Sequence, residues 1–457
     1  MTHEPTRQPT RRGILKTLAV GAASAPAVVR GRNLNDKIRI AVVGMGGRSN
    51  AHGKSLVELE KDSSANVEFA GVCDCNEGPR KSAQLAWSER AGHRIEAYDD
   101  MRRVFDDPNI DAVTFATPNH WHSLCVILAC QAGKDAYVEK PGSHNIFEGR
   151  KMVEAARKYD RIVQHGTQCR SSENIIEGIR QLHDGIIGKV YFARGIAYKI
   201  RGNLGQHAPR PVPDGLDWNA WCGPAPVHEF SNFQLRRWHW IWDYGNGEIG
   251  NQGVHQMDII RWGLKIDDHP NQISSVGTNF MQQEVHDSSA QTPGVLSTSM
   301  KWDDGRMIEF AVRDWYTNAE AGFRDKYPFV QKDFPVGVIF LGSEGTMIFP
   351  DYSSYYTFLG RDRELGPHAS EPGSPISDLP HFQNWVSSLR SRNPEDLSAE
   401  ILQGHMSSSL CHLANIAYRV DRTVNFDPKK ETFVDDAEAN QLVSRPPRAP
   451  FVVPENV

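Results

Sequence analysis

Four groups of residues in this chain have types and spacings that suit chemistry. The first is the turn Gly44-Met45-Gly46-Gly47-Arg48-Ser49. Glycines here let the backbone bend sharply and approach a pyrophosphate, while the next helix aims free N–H groups and its positive dipole end at the anion. Such a turn suits a dinucleotide, although Ser49 stands where the fingerprint takes Gly or Ala. The second is Asp74, a carboxylate placed to accept hydrogen bonds from ribose hydroxyls and to repel a 2′-phosphate. It favours NAD over NADP; Arg80 and Lys81 keep NADP open, and a helix cap is the plainer reading of Asp74. The third comprises Thr117-Pro118-Asn119 with His122, and Glu139-Lys140-Pro141-Gly142. The fourth is the glycine-rich stretch 245–253 leading into a helix expected over 251–264. Asn251, His255 and Asp258 are spaced i, i+4, i+7 there and share one helix face. An Asn and a His presented together suit a hydroxylated ligand, whereas a capping Asn and a buried, satisfied His need no ligand.

These groups need strand ends to hold them. Residues 38–43 form an apolar, β-branched run that reads as a buried parallel strand. A helix over 49–61 and a strand over 67–72 follow, the latter ending at Asp74. Further strands are expected over 111–116 and 135–138, with helices over 79–90, 123–132 and 147–159. Alternating strands and helices imply a parallel, doubly wound α/β sheet, in which ligands lie beyond the carboxyl ends of strands. The glycine turn, Asp74, Thr117 and Glu139 all fall at such ends. We place this domain at 36–165.

Past residue 165 the pattern changes. Strands are expected over 189–199, 273–281, 295–302, 307–315, 337–341 and 346–349. Asp303-Asp304-Gly305 and Gly342-Ser343-Glu344-Gly345 mark hairpins between neighbours. The expected second domain, 166–435, is therefore α+β with an open, mostly antiparallel sheet, followed by a tail over 436–457. Arg170, Tyr198, Lys199 and Arg201 are candidates for substrate contact. Trp238, Trp240, Trp242 and Tyr244 suit either stacking on sugar faces or packing. A helix over 399–420 carries His405 and His412 seven residues apart, too far to pair as metal ligands within one helix. No metal site is expected.

A net charge of −5 and no basic cluster beyond the N-terminus argue against nucleic acid. The seven cysteines are odd in number and scattered, unlike a disulfide framework. Arg11-Arg12, a short Ala-rich apolar run over 18–29 and small residues around Ala25 describe a twin-arginine export signal over 1–30. That run is too short for a stable membrane span. The expected location is periplasmic or otherwise exported. Free nicotinamide is scarce there, so a tightly held cofactor loaded before export is expected.

Taken in order, the glycine turn, Asp74, Thr117-Pro118-Asn119, Glu139-Lys140-Pro141 and Gly253-x-His255-x-x-Asp258 resemble the glucose–fructose oxidoreductase / inositol dehydrogenase / MocA family. The resemblance implies an NAD(P)-dependent oxidoreductase acting on a secondary alcohol or carbonyl of a sugar, glycoside or cyclitol, commonly as a homo-oligomer. By motif, Lys140 would stand near the nicotinamide and the substrate hydroxyl, and His255 would be the general acid/base. Gly44, Gly46, Gly47, Arg48, Asp74, Thr117, Pro118, Asn119, His122, Glu139 and Lys140 would serve the cofactor. Arg170, Tyr198, Asn251 and His255 would serve the substrate. Many relatives carry Asp where this chain has Asn251, which cannot relay a proton. Two other functions fit the resemblance: redox-neutral glycoside cleavage by oxidation, elimination, hydration and re-reduction, and a non-catalytic NAD-holding sensor.

Overall fold

The computed structural model describes residues 36–314, 336–370 and 377–457. The export signal expected over 1–30 and the end of the strand expected over 307–315 lie outside the described residues. Six short strands form the first sheet, all but the edge strand β3 almost wholly buried: β1 (Ile38–Val43), β2 (Val67–Cys73), β3 (Glu96–Tyr98), β4 (Ala112–Phe115), β5 (Asp135–Val138) and β6 (Val163–His165). Their order is β3-β2-β1-β4-β5-β6, and the described pairings are all parallel. Helices cover both faces, which is why the strands read as apolar runs rather than alternating ones.

Register decides the chemistry. Val43 pairs with Cys73 and with Phe115, Phe115 with Val138, and Val138 with His165. Gly44, Asp74, Ala116 and Glu139 therefore emerge level along one edge. The strand order reverses at β1, and the crevice of a doubly wound sheet opens at such a reversal.

The second sheet has ten strands in a mixed, mostly antiparallel arrangement. They are β7 (Val190–Tyr198), β8 (Gln272–Thr278), β9 (Val295–Lys301), β10 (Met307–Arg313), β11 (Val336–Gly342), β12 (Gly345–Phe349), β13 (Tyr355–Leu359), β14 (Glu364–Ala369), β15 (Val424–Asp427) and β16 (Thr432–Phe433). Their order is β14-β13-β12-β11-β7-β10-β9-β8-β15-β16, with β7 and β10 the parallel pair. On β9 and β10 every second residue is buried, so one face packs inward, with helices Val254–Leu264 and Ile401–Arg419 sharing its core.

Three features depart from the expected elements. β8 stops at Thr278, and a π-helical turn, Met281–Val285, replaces its end. Asn279 Nδ2 donates to the Ala290 carbonyl (2.7 Å) and pulls the chain off the ladder. Residues 249–253 form a second π-helical turn, and the α-helix begins only at Val254. Finally, helix Leu379–Ser391 packs with the first sheet although it follows the second sheet's strands in sequence. Its Phe382 stacks on Tyr137 of β5 (centroids 4.5 Å apart), and Trp385 is equally buried. Ala439 and Leu442 stay with the second core, but the final residues likewise return to the first, where Phe451 packs and Val457 is buried.

Candidate active site

A cleft of about 820 Å³ runs along the carboxyl ends of the parallel strands. Gly44, Gly46, Gly47, Arg48, Asp74, Thr117, Pro118, Asn119, His122, Glu139 and Lys140 all line it. Gly44 has φ +89°, and a Cβ there would lie 2.8 Å from the Ala116 carbonyl group. Beside Gly46 and Gly47 there is open space. The turn is thus pressed against β4 at its first glycine and open at the next two, as an approach by a phosphate requires.

Asp74 fixes this turn. Its Oδ2 accepts the Met45 N–H (2.6 Å) and its Oδ1 the Asn76 N–H (2.7 Å). Burial raises its pKa from the ordinary aspartate value, against the pull of those two bonds. Each oxygen keeps a lone pair for a ribose hydroxyl. Arg80 turns its guanidinium onto the Asp74 carbonyl (2.7 Å). Thr117 Oγ1 is buried with no hydrogen-bond partner among the described residues. These features fit a dinucleotide lying from Asp74 toward Lys140.

Arg48 reaches from the turn into a buried network. Nε donates to Glu139 (2.7 Å), and Nη1 and Nη2 grip Asp378 (3.0 and 2.5 Å). Asp378 opens helix Leu379–Ser391 as its N-cap, so that helix is tied to the glycine turn. Glu139 also meets Nε2 of the buried His52 (3.1 Å). Burial alone would raise the Glu139 pKa, yet Arg48, His52 and Lys140 hold it well below the carboxylate range. His122 braces two strand ends, its ring nitrogens facing the carbonyls of Pro141 (2.6 Å) and Thr117 (2.8 Å). Asn119 donates to Asn246 Oδ1 (3.0 Å), joining the β4 end to the glycine-rich turn of the second half.

Lys140 crosses the cleft. Its Nζ donates to the Asn251 carbonyl (2.6 Å) from the end of β5. The π-helical turn presents that carbonyl, and Gly250 and Gly253 permit the turn: a Cβ at either would lie under 3.0 Å from Asn246 or Phe310. Burial pulls the Lys140 pKa down to about 8 in spite of the Glu139 charge.

The substrate candidates separate. Asn251 lines the cleft; His255, Arg170 and Tyr198 do not. His255 is buried, with Nδ1 3.9 Å from Cys169 Sγ and its ring 5.2 Å from that of Tyr352. Burial, then the charge of Lys140, keeps its pKa well below the ordinary histidine value, so the imidazole is neutral. Arg170 forms a two-pronged pair with Asp258 (2.7 and 3.0 Å), which also accepts from Ser407 (2.7 Å). Tyr198 lies under the Arg313 guanidinium (5.5 Å). Lys199 donates to Gln252, and Arg201 pairs with the buried Glu248 (2.8 and 2.5 Å).

Other wall residues were not singled out by sequence reasoning. His239 lines the cleft, stacks on Trp238 (3.6 Å), and has a buried Nδ1 without a partner among the described residues. Asp217, Trp221 and Phe451 line it from segments distant in sequence. The aromatic run divides: Trp238 faces the cleft, whereas Tyr244 is fully buried against Trp221 (5.1 Å). No local spacing marks these residues; only the partner each meets does.

Comparisons with known proteins bear on the fold and the family. The chain is 28% identical over 166 residues to a "Glycosyl hydrolase family 109 protein" of Saccharopolyspora erythraea, covering 35% of each protein. It is 28% identical over 157 residues to a myo-inositol 2-dehydrogenase of Thermotoga maritima, covering 34% of this chain and 44% of that one. These matches thus span less than half of the relatives' own lengths. A levoglucosan dehydrogenase in complex with NADH and levoglucosan shares the fold, with a TM-score of 0.63 at 15% identity over 85% of this chain and 99% of that one. The description "Oxidoreductase family, NAD-binding Rossmann fold" matches residues 38–167, and the family's C-terminal alpha/beta domain matches 188–320 and 373–453. The chain belongs to the GFO_IDH_MocA oxidoreductase family.

Proposed function

We propose that the protein is an NAD-dependent oxidoreductase acting on a secondary alcohol or carbonyl of a sugar, glycoside or cyclitol. The observation that carries this reading is Lys140: a buried cation at the end of β5, held over the cleft by the Asn251 carbonyl and backed by Glu139. The chemistry the dinucleotide supplies when bound is hydride transfer to or from the carbinol carbon. The turn at Gly44, Gly46 and Gly47 would hold the pyrophosphate, and Asp74 the ribose. Lys140 as an ammonium stabilises the alkoxide that forms as the hydroxyl proton leaves. Asn251 orients the hydroxyl, and His255, neutral at working pH and one helical turn beyond Asn251 behind the cleft wall, is the proposed acceptor of that proton.

Redox-neutral glycoside cleavage is a second reading. It needs another base, for the proton next to the transient carbonyl, and His239 puts an imidazole whose Nδ1 has no partner among the described residues on the cleft wall. The relative bearing a glycosyl hydrolase name supports it. We further propose that the cofactor is held tightly, that Arg11-Arg12 direct twin-arginine export, and that the chain works as a homo-oligomer. The test of function is a panel of sugars, cyclitols and aryl glycosides mixed with the NAD-loaded protein. Reduced nicotinamide formed with at least one member and lost in His255→Ala is the expected result. Aglycone release without net reduced nicotinamide selects the cleavage reading. Neither signal, or unchanged behaviour of His255→Ala, overturns the assignment.

A further inference from the structure

Residues 213–223 and the C-terminal stretch 445–457 together cross the Asp74 end of the cleft, and we infer that they are a cofactor-retaining bridge and strap. The inference rests on the cofactor reading above.

The bridge is fastened on both lips of the cleft. On the Asp74 side, Glu77 N–H donates to the Gly215 carbonyl (2.8 Å), Asp217 N–H donates to the Cys75 carbonyl (3.1 Å), and Asn76 pairs with Leu216. The chain then crosses as the short helix Trp218–Cys222, capped by Asp217 Oδ1 on the Ala220 N–H (2.9 Å). On the far side, Trp121 Nε1 donates to the carbonyls of Ala220 (3.1 Å) and Trp221 (3.0 Å), and His120 Nε2 lies 2.9 Å from the latter. Asp217, Asn219, Ala220 and Trp221 line the cleft from this crossing. Gly223 ends it at φ +50°, where a Cβ would strike the Trp121 ring at 2.1 Å.

The strap locks the bridge from outside the nucleotide-binding sheet. Arg448 donates from Nε to the Gly223 carbonyl (2.5 Å), from Nη1 to Asn219 Oδ1 (2.8 Å) and from Nη2 to the Asn219 carbonyl (3.0 Å). All three nitrogens of one guanidinium thus grip the end of the crossing. Pro450 and Phe451 then enter the cleft wall, with Phe451 edge-on to Trp121 (5.3 Å). The strap is anchored at both ends. Arg445 pairs with the buried Glu148 (2.5 Å) and bonds the His120 carbonyl (2.7 Å); Val457 is buried and its main-chain oxygen accepts from Lys158. Lys140 on Asn251 bounds the opposite end of the cleft. A dinucleotide lying between them leaves by the Asp74 end only when this crossing lifts.

The bridge and strap act on exchange of the cofactor, not on the hydride step. The experiment loads the full-length protein with NADH and follows its release by fluorescence after a chase with excess NAD. Wild type is compared with Arg448→Ala, Arg448→Lys and the double variant Arg448→Ala/Phe451→Ala. Loss of several charge-assisted bonds predicts release about tenfold faster or more in the double variant, with Arg448→Lys in between. Melting of the cofactor-free proteins checks that each is folded. Should the double variant fail to fold, Asn219→Ala removes one bond of the three and is read the same way, with a smaller acceleration. Release at the wild-type rate in folded variants overturns the bridge while leaving the cofactor reading intact. A wild type that binds no NADH at all overturns both.

Discussion

Glu139 and Glu431 are both buried, and each gathers an arginine and imidazole nitrogen, yet they do different work. Glu431 Oε1 accepts from His269 (2.8 Å), His405 (2.8 Å) and Arg150 (2.5 Å), and its Oε2 accepts from Arg150 Nε (3.0 Å). It sits between β15 and β16 at φ +54°, a strained angle for a glutamate. The ligand atoms of His269, His405 and Glu431 lie within 4.8 Å of one another, as in a metal site. Arg150, however, occupies both carboxylate oxygens and adds a positive charge that opposes a second cation. This cluster is a latch tying helix Ile146–Lys158 to helix Ile401–Arg419 and the β15–β16 hairpin. Glu139 makes the same kinds of bonds to Arg48 and His52, but it lines the cleft and is followed directly by Lys140. Buried charge pairing by itself is architecture; chemistry needs the same pairing beside space for a ligand.

Breaking each centre separately sharpens the contrast. The largest effect is expected for Lys140→Ala, where turnover falls by about 10²–10⁴. Titration of NADH fluorescence should show cofactor affinity changed far less. Next comes Glu139→Gln, which leaves Arg48 and His52 facing a neutral amide in the interior. Removing one partner of a buried pair costs about 3–5 kcal/mol, so denaturant unfolding should register that loss together with weaker cofactor binding. Glu431→Gln should lose a similar amount of stability, since Arg150 and Arg48 keep nearly equal side-chain exposure (35% and 33%), but it should lose no cofactor binding. Turnover per folded molecule should be unchanged in that variant; a parallel collapse of turnover would erase the distinction drawn here.

The smallest effects are those of pH. Lys140 titrates at about 8, so the oxidation rate should fall as pH rises through that value and the ammonium is lost. On the acid side both glutamates are held below their ordinary values. Their stabilisation is therefore full above the unfolded carboxylate pKa of about 4.3 and fades as pH falls below it. Acid unfolding curves should be shallower in Glu431→Gln than in wild type.

The first half was legible because its signals are local. The strand at 38–43 and the helix at 49–61 appear as read, since parallel strands buried on both faces are plain apolar runs. The cofactor candidates from Gly44 to Lys140 sit together because register aligns the strand ends. The second half depends on distant partners. Asn251 and His255 were expected on one α-helical face, but two glycines and the bond from Lys140 widen that turn into a π-helix. Arg170 was a substrate candidate, and its guanidinium meets Asp258, 88 residues away. His405 and His412 carried no sign of their partners, which are Glu431 for the first and Ser143 for the second. Helix Leu379–Ser391 and Phe451 return to the first core from the far end of the chain, and no periodicity announces which sheet a helix will cover.

The central claim is that this cleft holds NAD with Lys140 poised over the reacting carbon. It is tested most directly by a single-turnover measurement on NAD-loaded protein mixed with a polyol panel, following the near-ultraviolet absorbance of the reduced nicotinamide. The account predicts a rise in wild type with at least one polyol, and loss of that rise in Lys140→Ala that still carries its cofactor. An equal rise in both proteins would contradict it.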